Sequence, residues 1–319
     1  MNKQKKALSS KAIEIRFEII RVMAAIAISL IATLILIAMV SKQPLEALNE
    51  FMIGPVSSIR NFSNVLNLFV PLCFAGLSVS VMFQCNQINM GSEGAFFIGG
   101  LGAAFIGVKL ALPAGIHPAV AILFGALIGA VVCVIPGIFK VKWGANEVVS
   151  SLMINYILLY LGNYILQYFL LDPQAGYPAT NTLPDTVILP SLISQPKVHI
   201  GILIALVLVV VVYIFLYKSK WGYQLRTVGQ NKNFARYAGM GVGSTILLSQ
   251  IVGGALAGAG GATQVLGMYQ RYSWTALPGY GFDGIIIAIL AKNSPIFVPL
   301  AAFFLAYLRI GADIMSRRT

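Results

Sequence analysis

Residues 244–262 read STILLSQIVGGALAGAGGA, and these 19 consecutive residues carry no charge. A stretch of this length can cross a bilayer as an α-helix. Its small residues are densest at Gly253–Gly261, and small-xxx-small faces let helix backbones approach closely. The stretch therefore predicts a membrane-spanning helix whose small-residue face serves either for tight structural packing or as a sliding interface in a transporter, and the two are compatible.

Apolar segments of this kind recur along the chain of 319 residues. The composition is 58% hydrophobic and 10% charged, with mean hydropathy +0.84, whereas a soluble domain carries about 25% charged residues. The other segments occupy roughly 22–40, 64–83, 94–111, 118–138, 147–170, 199–217, 284–291 and 296–311. We therefore expect an all-α polytopic integral membrane protein with about nine or ten transmembrane segments, some of them broken or re-entrant.

The basic residues indicate the orientation of the chain, whose net charge is +12. With the N-terminus in the cytoplasm, 14 of the 22 basic residues lie on the inside and five on the outside, as the positive-inside rule favours, while Arg309, Arg317 and Arg318 are left out of the count. Residues 1–21 are then a basic cytoplasmic N-terminus, and 22–316 form one transmembrane domain. Its loop 171–198 is extracytoplasmic, and its most basic loop, 218–243, is cytoplasmic.

Motifs for common enzyme chemistry are missing from the sequence. It contains no H-E-x-x-H, no G-x-S-x-G and no G-x-x-x-x-G-K-[ST]. Cys73, Cys85 and Cys133 show no C-x-x-C spacing and lie in or beside apolar segments, as small buried residues do. We expect no catalytic residue, no metal site and no cofactor site in this chain.

Two polar interruptions lie at the predicted inner edge of the membrane. In residues 86–94, Asn89 and Glu93 either line a substrate path or cap a helix. In the second interruption, residues 143–156, Asn146 is a candidate N-cap, and Glu147, Ser151 and Asn155 recur at positions i, i+4 and i+8 of the following helix. This polar stripe must face protein or water, so it either lines a substrate path or forms interhelical hydrogen bonds.

Two further interruptions lie one on each side of the predicted membrane. Residues 231–238 predict a short helix ended by Gly239, with Phe234, Tyr237 and Ala238 on one face and Lys232 and Arg236 on another. This helix either docks to a partner protein or binds lipid headgroups. Residues 269–284 predict a broken or re-entrant element, in which Trp274, Phe282 and Asp283 either contact a ligand or belong to an interfacial aromatic belt.

Four ordered motifs carry a resemblance to a known family over about residues 60–312. They are Asn89-x-Gly91-x-Glu93-Gly94; Gly144-x-Asn146-Glu147-Val148 with Met153-x-Asn155-Tyr156; Gly229-x-Asn231-x-x-x-Ala235-Arg236-Tyr237-x-Gly239; and Pro278-Gly279-x-Gly281-Phe282-x-Gly284. Together they resemble the permease subunit of bacterial ABC importers of the ribose/branched-chain amino-acid permease superfamily. They resemble in particular the nucleoside importers that work with a basic-membrane-protein-type binding lipoprotein.

The resemblance implies a transport subunit and not an enzyme. It implies a second permease chain, often a different one, a cytoplasmic ABC ATPase that binds ATP and Mg²⁺, and an extracytoplasmic substrate-binding lipoprotein. Gly229, Asn231, Ala235, Arg236, Tyr237 and Gly239 correspond to the coupling helix that docks in the ATPase. The substrate pathway is expected at Asn89, Glu93, Glu147, Ser151, Asn155, Trp274, Phe282 and Asp283. The implied location is the bacterial cytoplasmic membrane.

The substrate and the C-terminus leave alternatives open. The resemblance implies nucleosides or, in the broader family, simple sugars such as ribose, while a stand-alone ion-driven transporter would use Glu93, Glu147 and Asp283 as its ionisable relay. Nine segments leave Arg317 and Arg318 outside. Either the last two segments form one broken unit or a further C-terminal span follows, as in relatives.

Overall fold

The computed structural model describes residues 43–193 and 196–318, together with isolated positions between 20 and 39. The predicted basic N-terminus 1–21 and first span 22–40 lie largely outside the described residues. The helices are α1 (Pro44–Ile53), α2 (Ile59–Gln84), α3 (Ser92–Lys109), α4 (Ile116–Trp143), α5 (Glu147–Ile165, extended by a π-helical turn Leu166–Leu170), α6 (Gly201–Lys218), α7 (Lys220–Gln230), α8 (Lys232–Tyr237), α9 (Val242–Met268), α10 (Tyr280–Leu290) and α11 (Val298–Arg318). Strands β1 (Ser191–Ile193) and β2 (Val198–His199) pair antiparallel.

The all-α polytopic fold is confirmed, since each predicted segment after the first coincides with one helix. Among the described helices, α2, α4, α5 with its π-turn, α6, α9 and α11 are long and apolar enough to cross a membrane. Helix α9 extends past its predicted end at residue 262 to Met268, and the polar Thr263 lies within it with its hydroxyl donated to the carbonyl of Ala259.

The described chain divides into two compact units, Ile59–Tyr307 and Met1–Ser58 together with Leu308–Thr319. In the larger unit, α2 and α3 are almost wholly buried, and α9 packs against α2, α3 and α4. Helices α4, α5 and α6 each expose a large part of their apolar surface. In the smaller unit, Gly311 lies against the backbone of Phe51 in α1.

Glycine contacts hold α9 against its neighbours. A Cβ at Gly258 would overlap the carbonyl oxygen of Gly125 in α4, and one at Gly254 would overlap that of Gly129. A Cβ at Gly261 would likewise overlap the carbonyl oxygen of Phe96 in α3. The backbones therefore touch directly, which confirms the close packing predicted from the sequence.

Helices α3 and α10 begin inside the bundle and not at its edge. Ser92, the first residue of α3, lies 3.3 Å from Ser78, oxygen to oxygen. Ser78 precedes the end of α2 by six residues, which is about 9 Å of helix. In α10, Gly284 packs against the backbone of Ala75, even farther from that end. Residues 269–284 thus contain a broken element, as predicted, and α10 covers only part of the membrane depth.

The segment 171–198, between α5 and α6, contacts the C-terminal end of α9 and the residues that follow it. The N–H of Thr180 donates to the carbonyl of Tyr272 at 3.0 Å, and that of Leu189 donates to Leu266 at 2.9 Å. Asp172 pairs with Arg271. The hydrogen bond from Arg271 lowers the pKa of the Asp172 carboxyl below its ordinary value. This segment is therefore anchored to the body of the protein.

A side chain at Gly258 is expected to separate α9 from α4. Gly258→Ala should lower the free energy of unfolding by about 1–3 kcal/mol, because the new methyl group meets backbone atoms that cannot move aside. The measurement is the thermal unfolding of the purified protein in detergent. Leu127→Ala, on the exposed face of α4, is the control and should unfold like the wild type. Equal stability of Gly258→Ala and the control would contradict the direct backbone contact.

Candidate functional site

Glu93 holds the N-terminus of α10 inside the bundle. The N–H groups of Gly279 and Gly281 donate to its two carboxylate oxygens, each at 2.6 Å, and that of Phe282 donates at 3.3 Å. The side chain is completely buried. The N-terminal N–H groups of a helix lack partners within the helix, and the helix dipole favours a negative charge there. Glu93 supplies both the acceptors and the charge.

The turn at Gly279 makes this contact possible. Gly279 has φ +84°, in the left-handed region that glycine adopts without strain, and it directly precedes α10. Gly281 has no side chain, and a Cβ there would overlap the backbone of Glu93. Asp283 is buried in the first turn of the same helix. The predicted motif Pro278–Gly284 therefore lies in direct backbone contact with the start of α3. The segments 86–94 and 269–284, which lead into α3 and α10, are here called the two broken elements.

Glu147 binds the segment before α3. The N–H of Ile88 donates to Oε1 of Glu147 at 2.6 Å, and Nζ of Lys140 lies 2.7 Å from Oε2. Lys140 is in the last turn of α4, while Glu147 opens α5. A buried carboxylate is stable only when it is paired and hydrogen-bonded, and these two contacts fulfil that requirement.

Ser151 and Asn155 continue the same contact one and two turns farther along α5. The N–H of Met90 donates to Oγ of Ser151 at 3.0 Å, and the N–H of Gly94 donates to Oδ1 of Asn155 at 3.0 Å. Nδ2 of Asn155 donates to the carbonyl of Met90 at 2.9 Å. The predicted stripe therefore faces protein and binds backbone groups of the irregular segment 88–91 and of the first turn of α3, which lack partners of their own.

Two asparagines complete the local structure. Asn146 is the N-cap of α5, as predicted, and its side chain accepts from Val148 N–H at 3.0 Å. Asn89 is buried, and its Nδ2 donates to Oε1 of Gln250 at 2.6 Å. Its Oδ1 accepts from Gly91 N–H at 2.7 Å. Asn89 thus fastens the segment before α3 to α9.

An aromatic cluster lies beside the N-terminus of α10. The half-buried ring of Trp274 lies 5.5 Å from Tyr272 and 6.3 Å from Phe96, centroid to centroid. Tyr280 lies 5.2 Å from Phe96. Phe282 is partly exposed. Trp274 and Phe282 are therefore the two members of the predicted pathway set that present aromatic surface outside the protein interior.

The segment 231–239 forms the predicted short helix. Asn231 caps α8 by accepting from Asn233 and Phe234 N–H, each at 3.0 Å. At the other end Gly239 has φ +75°, and the N–H of Met240 returns to the carbonyl of Ala235 at 2.9 Å. This arrangement is a Schellman motif, so α8 is fixed at both ends.

The outer face of α8 is strongly exposed. Tyr237 is 93% exposed, and Phe234 and Arg236 are exposed beside it. Ala235 is completely buried and faces the body of the protein. Two aromatic rings and a guanidinium on a rigid surface are typical of an anchor for a protein partner.

Gly229 connects α7 to the rest of the bundle. A Cβ at this position would overlap the carbonyl oxygen of Gln84, the last residue of α2. Nε2 of Gln84 in turn donates to the carbonyl of Asn293 at 2.8 Å, just beyond α10. Helix α7, which directly precedes α8, therefore contacts the end of α2 at Gln84, and Gln84 connects it to the turn after α10.

The structure brings five of the eight predicted pathway residues together. Asn89, Glu93, Glu147, Ser151 and Asn155 converge on the two broken elements, and their polar groups bind protein atoms. Their role in a substrate pathway stays a prediction. Sequence reasoning missed Lys140, Gln250 and Gln84 as polar partners. Gln250 and Gln84 contact residues 161 and 209 positions away, which local spacing does not predict, whereas Lys140 pairs with Glu147 across the short turn between α4 and α5. Within the described residues, no cluster of three or more His, Cys, Asp or Glu is suited to a metal ion.

Comparison with known proteins places this geometry in a family context. The model of the branched-chain amino acid transport system / permease component family matches residues 61–317. The guanosine ABC transporter permease NupP of Bacillus subtilis is 34% identical over 81% of this chain and 75% of its own length. The glucose ABC transporter permease TsgB13 of Haloferax volcanii is 31% identical over 92% of this chain and 79% of its own.

A third relative, the nucleoside ABC transporter permease NupB of Lactococcus lactis, is 28% identical over 86% of this chain and 78% of its own. The matches include pairs from one organism, NupP with NupQ and NupB with NupC. No solved structure matches the chain significantly.

The cap formed by Glu93 gives a direct test of the site. Glu93→Gln keeps only one acceptor oxygen for the N–H groups of Gly279 and Gly281, which each donate to a separate oxygen of Glu93. The amide NH₂ of glutamine would face the other N–H group. Since hydrogen bonds to charged groups contribute about 1.5–3 kcal/mol, we expect a loss of stability of that size. Thermal unfolding in detergent measures it. Glu46→Gln, the same change at an exposed position of α1, should unfold like the wild type, and an equally stable Glu93→Gln would contradict the cap.

Proposed function

The chain belongs to the family of permease components of branched-chain amino acid transport systems, and from this membership we propose that it imports nucleosides as the transmembrane permease subunit of an ATP-driven ABC importer. The similarity to the guanosine permease NupP across 81% of the chain carries this proposal. The match to the nucleoside permease NupB supports the same substrate class. The chain is a transport component, and it is not proposed to catalyse a reaction itself.

The proposed complex contains two permease chains, of which this chain forms half of the translocation pathway. The paired relatives NupP/NupQ and NupB/NupC support a second, different permease. A cytoplasmic ABC ATPase binds ATP and Mg²⁺, and this chain holds no cofactor. An extracytoplasmic lipoprotein delivers the substrate to the side of segment 171–198. The complex lies in the bacterial cytoplasmic membrane, with the N-terminus of this chain in the cytoplasm.

Helix α8 is proposed as the coupling helix that inserts in the ATPase. Phe234, Arg236 and Tyr237 form its contact surface, because they are exposed on a helix capped at both ends. Movement of α8 would pass through Gly229 to the end of α2 and through Gln84 to the turn after α10. Because Glu93 of α3 holds the N-terminus of α10, closure of the ATPase can shift both of these helix ends within the membrane.

The substrate chemistry agrees with the residues near the broken elements. Nucleosides are uncharged at neutral pH, so a path for them needs aromatic surface and hydrogen-bonding groups without a fixed charge. Trp274 and Phe282 present such aromatic surface. Simple sugars are the second candidate, favoured by the match of the glucose permease TsgB13 over 92% of the chain.

An ion-driven mechanism fits the structure less well. It would need intramembrane carboxylates that bind and release an ion during transport. Glu93 accepts three backbone N–H groups, and Glu147 pairs with Lys140. Release of either carboxylate would leave buried donors without partners, which is costly.

Uptake in cells tests the substrate class. The chain and its native partner genes are expressed in a strain without nucleoside uptake, and entry of labelled guanosine is measured. We expect ATP-dependent uptake that unlabelled nucleosides inhibit and that excess ribose or glucose leaves unchanged. Uptake of a sugar without guanosine would establish the second candidate instead. Uptake that persists without ATP and collapses with the ion gradient would favour the ion-driven transporter.

Charge reversal on α8 tests the coupling surface. Arg236→Glu should lower uptake at least tenfold, because a contact loss of about 1.4 kcal/mol or more reduces complex formation by that factor. Membrane level and thermal stability should stay unchanged, since the side chain is exposed. Lys142→Glu, an exposed charge reversal in the last turn of α4, is the control. Normal uptake by Arg236→Glu would contradict the assignment of α8.

A further inference from the structure

Four tyrosines form a row on the exposed face of α5. Tyr156, Tyr160, Tyr164 and Tyr168, here called the tyrosine row, are spaced four residues apart and are 59%, 73%, 52% and 72% exposed. The spacing of four residues places each ring above the previous one on a helix surface. The rings of Tyr164 and Tyr168 lie 4.6 Å apart, centroid to centroid.

The row extends from near the middle of the span Glu147–Leu170 to its C-terminal end. Twelve residues separate its ends, which corresponds to about 18 Å of helix, against about 30 Å for the hydrocarbon core of a bilayer. Tyr156 and Tyr160 lie near the middle of the 24-residue span Glu147–Leu170. An interfacial aromatic belt places tyrosine at the headgroup level and so does not explain these two positions.

The four hydroxyl groups lack hydrogen-bond partners among the described residues. A hydroxyl without a partner in an apolar medium costs about 1–3 kcal/mol by protein data. Exposed rows with the same four-residue spacing on two other helices consist of aliphatic side chains. On α4 the row is Leu123, Leu127 and Val131, and on α6 it is Leu203, Val207 and Val211. The rows on α4 and α6 suit lipid, whereas the tyrosine row needs a polar surrounding.

We infer that the tyrosine row lines the water-filled path along which the substrate crosses the membrane. This inference rests on the proposed function and assigns the path to a face of α5 that is distinct from its buried stripe of Glu147, Ser151 and Asn155. The phenol rings stack on the base of a nucleoside, and the hydroxyls bind its ribose or water. Four similar side chains in sequence would contact the substrate weakly along the path without holding it tightly at one place.

Labelling of introduced cysteines tests whether the row faces water. Tyr156→Cys, Tyr160→Cys and Tyr164→Cys are made in the full complex and treated with a membrane-impermeant maleimide in cells and in inside-out vesicles. The native Cys73, Cys85 and Cys133 are completely buried, so their background is low. We expect at least tenfold faster labelling than at Leu127→Cys and Val207→Cys, the controls on the aliphatic rows. Labelling at the control rate would overturn the inference.

Two further outcomes separate the inference from the proposed function. Guanosine uptake without labelling of the row would overturn only the inference. Disulfide crosslinking of Tyr160→Cys to a cysteine introduced in the second permease would then show that the row is a subunit interface. Rapid labelling of the row, when the complex with its native tyrosines transports no nucleoside, would overturn the proposed function and retain the water-filled path. Slower labelling in saturating guanosine would support both.

Removal of one hydroxyl tests the contact with substrate. Tyr160→Phe keeps the ring and should raise the KM for guanosine about two- to tenfold, which corresponds to one lost hydrogen bond. Tyr213→Phe, the same change at a half-buried position of α6, should leave KM unchanged. An unchanged KM for both variants would contradict the hydrogen bond between the row and the substrate.

Discussion

The contact between the Glu93 carboxylate and the N-terminus of α10 is the constraint on which the fold depends. A helix that begins within the membrane depth exposes N–H groups that water cannot satisfy, and a buried carboxylate carries a charge that water cannot screen. The carboxylate accepts hydrogen bonds from the N–H groups of Gly279 and Gly281 at 2.6 Å, so each partner offsets the desolvation cost of the other. Either partner alone would be strongly unfavourable at this depth.

This contact determines the course of the chain around it. Glu93 reaches α10 only if α3 begins level with Ser78, so the backbone after α2 must turn back into the bundle. Its free N–H and C=O groups are then bound by Glu147, Ser151 and Asn155 of α5. The glycine contacts of α9 hold α3 and α4 at the short distance that this arrangement requires. The result is an irregular, fully hydrogen-bonded centre inside a helical bundle.

Much of this could be predicted from the sequence because the signals are local. The helical segments, the Asn146 cap and the short helix ended by Gly239 all follow from patterns within a few residues. The spacing of Glu147, Ser151 and Asn155 predicted one face correctly, but the partner of that face lies about 60 residues away in the chain. The three backbone donors to Glu93 are almost 190 residues away and leave no local signal. The tyrosine row is periodic in the sequence, yet hydropathy alone does not separate it from a lipid-facing row.

The proposed function makes this irregular centre part of one half of an ATP-driven importer. Purification of the chain from its native membrane in mild detergent, followed by mass spectrometry of the proteins that accompany it, tests this proposal. We expect a P-loop ATPase and a second permease of the same family in amounts comparable to this chain. Reproducible recovery of the folded chain without an ATPase would contradict it.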